Sequence, residues 1–191
     1  MGVSFVQQLQ TRMAQKNTVA IIGASGSLGA YIAKGLCSGP YRLLLMDAHL
    51  QSLDDLKTEI NLLCKYAEVD VLQCCRDASW EADIILLAVG KPMDIALEIE
   101  EVATRKIVIN IISAGGAGED LQQMLPFSKV VNVVLSSAFE EPAPEIESPV
   151  AFVEGYEEDA IKTSVDMMTL IGFNTVVSVL KAEDNSGNFP H

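Results

Sequence analysis

Basic residues are scarce in this chain. Across 191 residues, 13 Lys plus Arg stand against 26 Asp plus Glu, a formal charge of −13 at pH 7. Such a surface repels phosphate backbones, so no nucleic-acid partner is expected. Histidine is rarer still, with only His49 and His191. The four cysteines include no C-x-x-C pair, so too few ligands share a usable spacing and no metal site is expected. Cys37 and Cys64 fall at helix ends, and Cys74 and Cys75 at the end of a strand; all four are expected to be plain buried or half-buried thiols. No apolar run approaches the roughly 20 residues of a membrane helix. The most apolar stretch, 84–89, is framed by Asp83 and Lys91. Residues 1–10 hold no basic segment followed by an apolar one, which argues against a secretory leader. Val6 stands where a myristoylation start wants Ser or Thr. These absences lead to the expectation of a soluble, cytoplasmic protein.

What remains is apolar enough to fold: 49% of residues are hydrophobic and 20% charged, which excludes wholesale disorder. One domain is expected over residues 1–183, with a loose tail at 184–191. The pattern alternates. Short apolar runs at 18–22, 42–46, 69–72, 84–89, 107–112, 129–135, 149–153 and 174–180 predict strands. Stretches with apolar residues three and four apart, at 27–38, 51–66, 92–103, 119–125 and 157–171, predict helices, and Gly39-Pro40, Pro126 and Gly172 supply stops. Residues 79–81 form a short connecting segment, and 140–149, with three of the seven prolines, a loop. A further amphipathic helix is predicted at 3–16, with Val3, Val6, Leu9 and Met13 near one face. That face needs a cover, which either a homodimer or the protein's own sheet would provide. Strands apolar on both faces, alternating with helices, predict an α/β fold: a three-layer, doubly wound, mostly parallel sheet.

The first strand runs into Gly23-Ala24-Ser25-Gly26-Ser27-Leu28-Gly29, where a helix begins. In a strand–turn–helix, one small residue permits the tight turn, a second lets a pyrophosphate approach the backbone, and a third lets the helix pack on the strand. Free N–H groups and the positive helix end then face the phosphates. Asp47 ends the second strand, near the offset expected of the acidic group that accepts ribose hydroxyls. A carboxylate there repels a 2′-phosphate, and no Arg or Lys follows within 48–51, so NAD(H) is favoured over NADP(H). The same Asp47 could instead cap the following helix, a compatible role. Ligands of such sheets bind at the carboxyl ends of the strands. Ala88, Val89 and Gly90, which end the fourth strand, are therefore expected beside the nicotinamide-side ribose, and Asn110 and Ser113, at the end of the fifth, across the cleft. Lys91 reads either as a phosphate or acid contact or as a solvated loop residue.

The run 21–29, Leu86-Leu87-Ala88-Val89 with Pro92, Lys129-Val130-Val131-Asn132, and the helix at 160–173 with its Ile171-Gly172-Phe173 ending resemble the coenzyme F420-dependent NADP oxidoreductases. Pyrroline-5-carboxylate reductase is a more distant resemblance. The resemblance implies a Rossmann domain that binds a nicotinamide dinucleotide and passes hydride to a flavin-like or small carbonyl or imine acceptor. The chain departs from that pattern in three places. Asp47-Ala48-His49 replaces a Ser/Thr-Arg pair, Ser113-Ala114-Gly115-Gly116 replaces an Asn-Pro turn, and Val133-Val134-Leu135 replaces Ala-Phe-Asn.

No side chain stands out as an acid or base: there is no Tyr-x-x-x-Lys pair, and His49 is the only histidine in a strand-end loop. Hydride transfer to a flavin-like acceptor needs little such help, because the cofactor carries the chemistry. The sequence thus supports an oxidoreductase, with a non-catalytic NAD(H)-binding regulatory or sensor module as the alternative.

Overall fold

The computed structural model describes residues 16–113, 120–136 and 149–180. Fourteen elements follow in chain order. They are β1 (Asn17–Ile22), α1 (Ser27–Leu36), β2 (Tyr41–Met46), α2 (Leu50–Leu63), β3 (Glu68–Leu72), α3 (Cys75–Glu81) and β4 (Ile84–Leu87). Then come α4 (Pro92–Ile99), β5 (Ile107–Ile112), α5 (Leu121–Met124), β6 (Lys129–Leu135), β7 (Val150–Gly155), α6 (Glu158–Ile171) and β8 (Asn174–Val179).

The strands form one eight-stranded sheet in the order β3-β2-β1-β4-β5-β6-β7-β8. Every neighbouring pair is parallel except β6–β7. Period-two side chains explain how both faces are buried. In β1, Val19 and Ile21 enter one core with Ile32, Leu53, Ile60 and Met167, from α1, α2 and α6. Ala20 and Ile22 enter the other with Ala78, Ala96, Ile99 and Leu121, from α3, α4 and α5. This is the expected three-layer, Rossmann-like α/β architecture. The winding reverses at β1: β2 and β3 lie on one side of it, β4 and β5 on the other. In open α/β sheets the ligand's place is outside the carboxyl ends of the strands at such a reversal, here those of β1 and β4.

Three findings depart from the sequence reading. First, Cys37 and Cys64 are not plain thiols but a disulfide, with Cα atoms 6.1 Å apart. The carboxyl-terminal ends of α1 and α2 converge beneath the sheet, a meeting that a separation of 27 residues does not announce. Second, Cys75 opens α3 instead of ending a strand. This helix has seven residues, two turns, too few for a periodic signal to emerge. Third, β8 is an edge strand exposed along most of its length, not a strand buried on both faces. The helix expected at 3–16, Gly115 and Gly116, most of the loop at 140–149 and the tail at 184–191 lie outside the described residues. Among the described residues, no helix is long and apolar enough to cross a membrane.

Candidate functional site

The loop after β1 is fastened to the end of β2. Gly23 and Ala24 both donate their N–H to the Met46 carbonyl, at 2.9 and 3.1 Å, and Gly26 donates back to the Gly23 carbonyl at 3.2 Å. Gly26 is the N-cap of α1, in extended backbone, and no side chain caps the helix. The first backbone bond that closes α1 runs from Ala30 N–H to the Gly26 carbonyl, at 2.8 Å. The N–H groups of Ser27, Leu28 and Gly29 therefore have no acceptor within the helix. The first turn of α1 itself holds no acidic residue to offset the positive end of the helix dipole.

The three glycines of this loop serve different ends. Gly23 has φ +86°, a left-handed conformation that a side chain resists, and a Cβ there would strike the Ala88 carbonyl oxygen. A Cβ on Gly29 would strike the Gly23 carbonyl, so its absence lets α1 approach the strand. Gly26 is exposed, and a Cβ on it would meet only the Gly23 carbonyl oxygen, at an ordinary 3.4 Å. The protein itself does not require glycine at position 26.

Asp47 follows β2 directly and turns back over this loop. Its Oδ2 accepts the Ser25 N–H at 3.2 Å, and its Oδ1 accepts the Ala48 N–H at 2.7 Å. Burial pushes the carboxyl upward, but the Ser25 hydroxyl, the Ala48 and Ser25 amides and His49 together outweigh it and hold the group below its ordinary value. His49 Nδ1 lies 3.6 Å from Oδ1 and is largely exposed. Asp47 is thus ionised at neutral pH. Each carboxylate oxygen accepts one backbone amide, with the Ser25 hydroxyl and His49 beside them. His49, not Asp47, is the N-cap of α2, and its side chain makes no capping bond.

The remaining predicted residues divide. Ala88 donates to the Ile22 carbonyl at 2.9 Å, which holds the β4 loop against the end of β1. Ala88 and Val89 are half-buried, Gly90 is exposed with open space wherever a Cβ would stand, and Lys91 is exposed. Ser113 is exposed one residue beyond β5. The residues that directly follow β2, β1, β4 and β5 thus start side by side, in sheet order. Asn110 does not join them. It pairs with Leu87 inside β5, is 1% exposed, and donates from Nδ2 to Asn132 Oδ1 at 3.0 Å, because the strand continues two residues past it.

Two features escaped the sequence reading. The Met46 carbonyl strap is a backbone contact with no side-chain signature. Cys75 donates its thiol to Glu98 Oε2 at 2.8 Å, and burial together with that carboxylate pushes its pKa up to about 12. This thiol is no nucleophile near neutral pH. Among the described residues, no group of three or more His, Cys, Asp or Glu is placed to hold a metal. The donor set fits a dinucleotide instead: an uncapped helix start, a glycine that the protein's own packing does not demand, and an ionised carboxylate beside them.

Similarity to known proteins is confined to structure. No family model and no curated protein matches the chain. A hypothetical protein of Sinorhizobium meliloti is similar over 88% of this chain and 87% of its own, at 22% identity and a TM-score of 0.61. A provisionally assigned F420-dependent NADP-reductase from an Arthrobacter species matches 84% of this chain and 83% of its own, at 16% identity and a TM-score of 0.62. The reductive aminase of Aspergillus terreus, solved with NADPH, matches 86% of this chain but 56% of its own, at 10% identity and a TM-score of 0.63. These likenesses establish the Rossmann-type fold.

Proposed function

We propose that residues 1–183 form a single dinucleotide-binding domain of an oxidoreductase. It would bind a nicotinamide dinucleotide across the carboxyl ends of β2, β1, β4 and β5. In this reading the N–H groups at the start of α1 take the diphosphate, with Gly23, Ala24, Ser25, Gly26, Ser27, Leu28 and Gly29 as its cradle. Asp47 takes the hydroxyls of the adenine-side ribose, so NAD(H) is preferred to NADP(H). Ala88, Val89, Gly90 and Ser113 border the nicotinamide half. Asn110 supports them from inside the sheet through its bond to Asn132.

When bound, the nicotinamide supplies the hydride chemistry; the acceptor is a flavin-like or small carbonyl or imine compound. The chain's own part is to bind, to orient and to exclude water. Apart from Asp47 and His49, which this reading puts at the adenine-side ribose, the described strand-end loops present no paired acid and base, which suits an acceptor that needs little proton transfer from the protein. The similar structures, an NADPH-bound reductive aminase among them, support a nicotinamide-linked redox role. The single observation that carries the proposal is the unclaimed amino end of α1 beside Gly26, a position where glycine is needed only if something else comes close.

Titration with NADH and NADPH, followed by nicotinamide fluorescence, tests the binding. Micromolar NADH binding that weakens in Gly26→Ala is the expected result, and absence of binding by either cofactor would end the proposal. An NADH-oxidation assay with flavins, quinones and small imines then tests the redox step.

A further inference from the structure

The carboxyl-terminal end of α2 and the turn that follows it carry an apolar surface with no cover among the described residues. Within five positions, Leu62, Leu63 and Tyr66 are 82%, 65% and 84% exposed. The turn is tight, with the Ala67 N–H donating to the Cys64 carbonyl at 2.9 Å, and Cys64 is anchored to α1 by the disulfide. The surface is therefore held in place, and burying three large side chains together is strongly favourable.

The chain itself leads to it. Lys16, the first described residue, reaches across β2 and donates to Glu68 Oε1 at 2.9 Å. Glu68 opens β3 two residues after Tyr66. Fifteen residues precede Lys16, and their apolar positions Val3, Val6, Leu9 and Met13 fall on one face at helical spacing. A helix over 3–13 would be roughly 16 Å long, enough to lie along the last turns of α2. Residues 1–16 hold Arg12 and Lys16 but no Asp or Glu, in a chain whose net charge is −13, and at the surface itself Lys65 Nζ stands 5.7 Å from the centre of the Tyr66 ring.

We infer that residues 1–15 dock through Val3, Val6, Leu9 and Met13 onto Leu62, Leu63 and Tyr66 of the same chain. The segment then covers the outer end of α2.

Trypsin cleavage of the full chain after Arg12, followed by mass spectrometry, tests this directly. The wild type should be cut at least ten-fold more slowly than a synthetic peptide of residues 1–17. Leu63→Asp/Tyr66→Asp, changed at exposed positions only, should be cut at the peptide's rate while its circular dichroism is unaltered. Cleavage of the wild type as fast as the peptide would overturn the inference. So would equal protection in wild type and double variant, which places the segment on another surface. Protection that accompanies a dimer in gel filtration and disappears on dilution would overturn it in favour of a second copy as the occupant.

Discussion

Asp47 Oδ2 accepts the backbone N–H of Ser25 at 3.2 Å. The carboxylate proposed to recognise a ribose therefore also shapes the loop proposed to hold the diphosphate. Loss of the one perturbs the other, and the two halves of the site are expected to respond together.

Asp47→Asn keeps the side chain's size but removes its charge. Hydrogen bonds to a charged acceptor contribute about 1.5–3 kcal/mol, so NADH affinity should fall by roughly ten- to hundred-fold. NADPH affinity should hold or rise, because the repulsion of its 2′-phosphate is gone. Equal losses for both cofactors in calorimetric titration would show that Asp47 only supports the loop.

The acid limb of stability should carry the same residue's mark. The Asp47 carboxyl is held below its ordinary value in the folded state, so it contributes stability above the unfolded value of about 3.9. That contribution is lost as pH falls through the lower, folded value. Thermal melts between pH 6 and 3 should drop less steeply for Asp47→Asn than for the wild type.

Gly26→Ala and Gly29→Ala should separate binding from folding. At position 26 the added Cβ meets nothing closer than 3.4 Å. The melting temperature should stay within a few degrees, while dinucleotide affinity falls about ten-fold or more, a change of about 1.4 kcal/mol. At position 29 the Cβ strikes the Gly23 carbonyl. Such overpacking costs about 1–3 kcal/mol, and the melting temperature should drop by several degrees even without cofactor.

The disulfide predicts a redox-dependent stability. Closing a loop of 27 residues stabilises by on the order of 3 kcal/mol. Reductant should lower the melting temperature by roughly 6–12 °C and have little effect on Cys37→Ser/Cys64→Ser. Alkylation of the unfolded, unreduced chain should find two thiols, Cys74 and Cys75.

Those two neighbours should differ in reactivity. Cys74 is exposed and should label promptly at pH 8. Cys75 is buried, donates to Glu98, and has a pKa pushed up to about 12. Its alkylation in the native protein should be slow, and should climb roughly ten-fold per pH unit as long as the fold persists. Comparable rates for the pair at pH 8 would contradict the buried thiol–carboxylate contact.

How much of this was legible in the chain depends on the range of the interaction involved. The loop at 23–29 is a local matter, since the turn needs a left-handed residue at Gly23 and a close approach at Gly29, and glycine is nearly alone in allowing both. The strands of the sheet follow from short apolar runs, and Asp47 from its place after one of them. Asn110 was misplaced because a run of apolar residues does not say where a strand stops: Ile111 and Ile112 continue it. The antiparallel β7 and the exposed β8 were equally hidden, since the runs at 149–153 and 174–180 look like any other strands of the chain.

By itself, the sequence determined the eight strands, the helices other than α3, their alternation and one glycine-rich strand–turn–helix at 23–29. Each of these rests on backbone sterics and side-chain periodicity over a handful of residues. Only the tertiary structure decided which loop ends meet. Asp47 touches Ser25 because β2 pairs with β1, Ala88 braces the glycine turn because β4 pairs with β1 on its other side, and Cys37 joins Cys64 because two helices end at the same depth. Those encounters span about 20 to 65 positions of chain and depend on how strands pair across the whole sheet, information that no local pattern contains.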